Sequence, residues 1–93
     1  MRKKVTIAQA RRAGKKLGVN FDVLDVKTLQ MGMNSELEHG RRYRVTNVTN
    51  DNLEMTCKIA LAHLMEYINY YDELKVMEDK LKRSHKPQLN IFL

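Results

Sequence analysis

Asn52-Leu53-Glu54-Met55-Thr56-Cys57-Lys58-Ile59-Ala60-Leu61-Ala62-His63-Leu64-Met65-Glu66-Tyr67 is apolar on two sides when wound at about 100 degrees per residue. Met55, Ile59 and Ala62 form one arc, and Leu53, Cys57, Ala60, Leu61 and Leu64 form another. Only a ridge around Glu54 and Lys58 is left for water. A helix patterned in this way must be covered on several sides, so 52–67 is predicted to be the central helix of a bundle, capped by Asn50 or Asp51.

The flanking segments supply the cover. Upstream, Val26, Leu29, Met33 and Leu37 recur at spacings of a helical stripe, predicting a helix over 26–39 that Asp25 caps and Gly40 ends. Further upstream, Thr6 and Gln9 have the spacing of a capping box, and Ile7, Ala10, Ala13 and Leu17 follow at helical period until Gly18, giving a helix over 6–17. Phe21 and Leu24 are suited to pin the connection between these two helices. Downstream, Asn69 is a candidate cap and Tyr70, Leu74, Met77 and Leu81 mark the stripe of a fourth helix over 70–83. Segment 40–52 has no helical or alternating period and reads as a loop in which Asn47, Thr49, Asn50 and Asp51 can bond nearby backbone. The fold expected is an all-α bundle of about four short helices: a single domain over 1–83 with a tail over 84–93, where Pro87 breaks any helix and Leu89, Ile91, Phe92 and Leu93 can dock on the core or on a neighbour.

The chain of 93 residues has room for one core. At 43% hydrophobic and 30% charged it is an ordinary globular composition. Cys57 has no second cysteine to pair with, and no charged-then-apolar signal segment opens the sequence, so a reducing compartment is expected and secretion is not. The Asn47-Val48-Thr49 acceptor spelling is then without consequence. No apolar run reaches the roughly 18 residues of a membrane span.

The net charge of +6 is unevenly spread. Arg2, Lys3, Lys4, Arg11, Arg12, Lys15 and Lys16 stand in the first helix and its lead-in with no acid among them, and Arg41, Arg42 and Arg44 cluster in the loop. Such a surface suits an acidic macromolecule, either nucleic acid or an acidic protein. Few aromatic residues are interleaved with these cations, which disfavours base stacking and sequence-specific readout. The bland alternative is a merely solvated face.

Glu36 and His39 stand three apart on the second helix, and His63 and Glu66 three apart on the third. Carboxylate and imidazole from facing helices can hold zinc or iron; they can equally form a hydrogen-bonded ion pair that sets helix register, or His39 can simply face water near a helix C-terminus. A simple antiparallel hairpin argues against convergence of all four, since His63 lies about 15 Å along its helix from the loop, and no bound cofactor is the expected outcome. Tyr70 and Tyr71 are placed either to pack or to donate a hydrogen bond to this cluster. No nucleophile triad, phosphate-cradling glycine loop or dinucleotide fingerprint is present, and Glu36 and Glu38 point to different sides of their helix, so enzymatic activity is not expected.

The strings Met31-Gly32-Met33-Asn34-Ser35-Glu36-Leu37-Glu38-His39-Gly40, Thr46-Asn47-Val48-Thr49-Asn50-Asp51, Ile59-Ala60-Leu61-Ala62-His63-Leu64 and Tyr70-Tyr71-Asp72-Glu73-Leu74 resemble a small uncharacterised family of large DNA viruses, phages and some bacteria, catalogued as a domain of unknown function. The resemblance runs over about residues 7–78. Members commonly carry a proline and an acid where this chain has Ile68 and Asn69, which weakens the break before the fourth helix. The resemblance implies a viral or phage context: a non-enzymatic virion component, genome-associated protein or accessory protein, located in the virion or in the host cytoplasm or nucleus.

Overall fold

The computed structural model describes residues 3–84 and Ile91. Among these residues four helices follow one another: α1 (Ile7–Lys16), α2 (Val26–Arg42), α3 (Leu53–Glu66) and α4 (Tyr70–Ser84), with a 3-10 turn at Arg44–Thr46. No strand occurs among the described residues. No helix in them is long and apolar enough to cross a membrane.

Local chemistry accounts for most of the boundaries. Thr6 and Gln9 complete a capping box, Gln9 N–H donating to Thr6 Oγ1 at 3.1 Å and Thr6 N–H to Gln9 Oε1 at 2.9 Å. Gly18 takes φ +86, the left-handed turn that ends α1, and Val19 N–H reaches back to the Gly14 carbonyl at 2.9 Å. Asp25 caps α2 through Lys27 N–H at 3.0 Å.

Two boundaries differ from the sequence reading. Helix α2 does not stop at Gly40 but continues to Arg42. Gly40 is helical, and the loop folds back beside it at ordinary contact distance, a β-carbon there meeting Asn47 Oδ1 at 3.5 Å and Thr49 Oγ1 at 3.6 Å. The cap of α3 is Asn52 and neither of its predecessors: Asn50 and Asp51 adopt φ 50 and 67, whereas a cap needs the extended backbone that Asn52 has. Asn52 accepts from Met55 N–H at 2.9 Å.

The core comprises Val5, Ala10, Ala13, Leu29, Met33, Leu37, Cys57, Ala60, Leu64 and Tyr71. Phe21 and Leu24 pack against it from the α1–α2 connection. Helix α3 touches each of the other three helices, its largest interface being with α2. It is not wrapped all round, however: Met55 and Ala62 are exposed and Ile59 is half-buried, so the arc of Met55, Ile59 and Ala62 faces outward. Burial, and after it the charge of Glu54, pushes the Cys57 thiol above its ordinary pKa.

The N-terminal lead-in is held by side chains of α2. Val5 is buried, its N–H donates to Asn34 Oδ1 at 2.6 Å, and its carbonyl accepts from Gln30 Nε2 at 3.0 Å and Asn34 Nδ2 at 3.3 Å. Arg41 closes the other side, donating from Nε to Asp51 Oδ1 at 2.9 Å and from a terminal nitrogen to the Lys3 carbonyl at 2.8 Å.

Candidate functional site

Three helices converge on one carboxylate. Glu36 of α2 is largely buried, and its Oε2 accepts from the Tyr71 hydroxyl of α4 at 2.6 Å. His63 Nδ1 of α3 lies 2.9 Å from the same oxygen and 3.1 Å from the Tyr71 hydroxyl. The tautomer with hydrogen on Nδ1 satisfies both contacts, because Oε2 is then the acceptor for two donors. Tyr70 stacks on the imidazole with ring centroids 4.1 Å apart and planes 7° from parallel, and meets Tyr71 edge-on at 4.9 Å. Burial first, and then the hydrogen bond and charge of Glu36, push the Tyr71 phenol far above its ordinary pKa.

Gly32 makes room for this arrangement. It precedes Glu36 by one helical turn on the same face, and a β-carbon there would lie 2.6 Å from Tyr71 Cε2. The bare backbone thus seats the ring while Glu36, four residues on, receives the hydroxyl.

The other imidazole nitrogen, Nε2, has no hydrogen-bond partner among the described residues. Among the described residues no buried side-chain nitrogen or oxygen lacks a partner, so Nε2 opens to solvent. It does so in a groove between α2 and α4 that also takes in Met31, Ser35, Leu74, Met77 and Glu78. Chemically the cluster offers one oriented base nitrogen. No hydroxyl or thiol nucleophile is hydrogen-bonded to it among the described residues.

Of the four residues grouped from the sequence, only Glu36 and His63 meet. His39 and Glu66 are exposed, and among the described residues no group of three or more His, Cys, Asp or Glu side chains is placed to hold a metal ion. The reason is register. α2 and α3 run antiparallel across the loop, so a step of three residues toward the C-terminus moves opposite ways on the two helices, about 4.5 Å each at 1.5 Å per residue. With Glu36 level with His63, His39 and Glu66 are carried apart. Sequence reasoning left open which of Tyr70 and Tyr71 donates to the cluster; the structure gives that role to Tyr71 and stacks Tyr70 on the imidazole, and the available signal was Gly32 one turn before Glu36, which marked a seat for a large neighbour.

The basic residues divide by what they touch. Arg11, Arg12 and Lys15 are exposed on α1 and have no ion-pair partner among the described residues. Lys16 pairs with Glu54 at 2.9 Å, and this pairing lowers the pKa of the Glu54 carboxyl. Arg41 is engaged in tying the loop to the lead-in, through Asp51 and the Lys3 carbonyl. Lys3, Lys4, Arg42 and Arg44 are exposed. Arg2 lies outside the described residues, as do Leu89, Phe92 and Leu93 of the tail; Ile91 is exposed.

A family model described as "Protein of unknown function (DUF5661)" matches residues 10–80. That span runs from the middle of α1 to near the end of α4 and includes Glu36, His63 and Tyr71. No curated protein and no solved structure matches the chain.

Proposed function

The chain belongs to the DUF5661 family of proteins of unknown function, and we propose that it is a non-enzymatic interaction protein that binds an acidic macromolecule, nucleic acid in the first instance, through the exposed face of α1. The observation that carries this reading is that Arg11, Arg12 and Lys15 stand on one exposed face of a helix that contains no acid. Positions 11, 12 and 15 share an arc of about 100 degrees, opposite the buried Ala10, Ala13 and Gly14. Lys3 and Lys4 extend the positive surface beside the helix start.

Contacts of this kind address phosphates and carry no sequence information. Arg guanidinium groups suit phosphate because they present paired N–H donors in a plane. We place the activity in a viral or phage setting, in the virion or in the host cytoplasm or nucleus, where the acidic partner is the genome or an acidic capsid protein. The four strings that resemble viral and phage proteins support that setting.

Fluorescence anisotropy with unrelated DNA duplexes tests the reading. Binding is expected to be indifferent to sequence and to weaken linearly in log Kd against log salt. The Arg11→Ala, Arg12→Ala, Lys15→Ala triple variant is expected to flatten that slope by about 2 to 3, at roughly 0.9 per phosphate contact. No binding at low salt, or an unchanged slope in the triple variant, refutes it.

A further inference from the structure

Helix α4 leaves the C-terminal half of its apolar stripe exposed. Tyr70, Leu74, Met77 and Leu81 recur at spacings of four, three and four, the period of a two-heptad seam. Tyr70 and Leu74 are half-buried against the core, whereas Met77 and Leu81 are 51% and 60% exposed. The outward face already carries an internal ion pair, Lys75 with Asp79 at 3.3 Å. Glu73 and Lys80, which flank the seam on its solvent side, have no ion-pair partner among the described residues.

We propose that this stripe is an interface for a second copy of the chain, with the two α4 helices packed antiparallel. The register follows from the sequence. When Leu74 faces the partner's Met77, Tyr70 faces the partner's Leu81, and the two-fold axis repeats both layers, so all four stripe residues are used without overhang. In that register Glu73 lies beside the partner's Lys80, and Lys80 beside the partner's Glu73, which makes the flank self-complementary in charge. A parallel pairing would instead bring Glu73 against the partner's Glu78, like charge on like. Charge complementarity therefore selects both the occupant and its direction. The groove toward α2 is lined by Tyr70, Leu74 and Met77 of the seam as well as by Tyr71 and Glu78 on its flank, so the partner helix roofs the groove while the hydrogen bonds of the Glu36–His63–Tyr71 cluster beneath it stay in place. The interface is independent of polyanion binding by α1.

Sedimentation equilibrium of the full chain from about 1 to 500 μM tests the proposal, the expected result being a monomer–dimer equilibrium that falls within this range. Leu81→Glu, a change at an exposed position, is expected to leave the far-ultraviolet circular dichroism unchanged and to abolish the dimer. Glu73→Lys and Lys80→Glu are each expected to weaken it about tenfold, because each turns two attractive flanks into two repulsive ones. The double variant is expected to restore Kd to near the wild-type value. A chain ending at Ser84 is expected to dimerise as the full chain does. A wild type that stays monomeric throughout, a dimer indifferent to Leu81→Glu, failure of the double variant to rescue, or a dimer lost on removal of residues 85–93 each overturns the assignment, the last by making the tail the contact.

Discussion

Gly32 lies against the ring of Tyr71, so close that a β-carbon on Gly32 would stand 2.6 Å from Cε2 and 3.0 Å from Cδ2 of that ring. This contact joins α2 to α4 and sets the depth at which the Tyr71 hydroxyl reaches Glu36. Gly32→Ala is therefore expected to destabilise the fold by about 1 to 3 kcal/mol from overpacking, net of the roughly 1 kcal/mol that alanine gains over glycine inside a helix. Urea unfolding measures it. Combined with Tyr71→Ala, the same change should cost much less than the sum of the two single effects, because the clash is then gone.

Tyr71 makes the fold sensitive to alkali. Its phenol is held protonated in the folded state, by burial first and then by Glu36, and so its folded pKa lies above the ordinary value of 10.0. A raised folded pKa means that the stabilisation is complete below the unfolded pKa and is lost as pH rises beyond it. The midpoint of urea unfolding is thus expected to fall above pH 10. In Tyr71→Phe the alkaline fall should be shallower, at the cost of a lower plateau at neutral pH where the hydrogen bond to Glu36 is missing. Phenolate absorbance of the wild type should include one tyrosine that ionises only as helix is lost.

Asn34 holds the lead-in to α1 by bonding both backbone groups of Val5. Asn34→Ala leaves the Val5 N–H without that acceptor in a buried position, an expected cost of about 1 to 3 kcal/mol. Native-state hydrogen exchange reads the consequence directly: exchange at Val5 should accelerate strongly, while amides in the middle of α3 slow or quicken only in step with global stability. Equal acceleration at both places would show that the clamp is not local.

What the sequence determined by itself is what short-range chemistry controls. The Thr6 and Gln9 capping box, the Asp25 cap and the left-handed Gly18 are each decided within a few residues, and the stripes of α2 and α4 follow from period alone. The all-α bundle was legible on that basis. Gly40 shows where local rules stop: glycine permits a helix end but does not require one, and here the helix runs on to Arg42 with Asn47 and Thr49 of the returning loop beside it. Packing of α2 against α3 likewise sets the level at which Glu36 meets His63. One residue of each Glu/His pair was thereby brought together and the other carried away, and Tyr71 was added from a third helix. Spacing within a helix is set by the helix; which helices meet, and at what level, is set by packing around the core, and only the tertiary structure decided it.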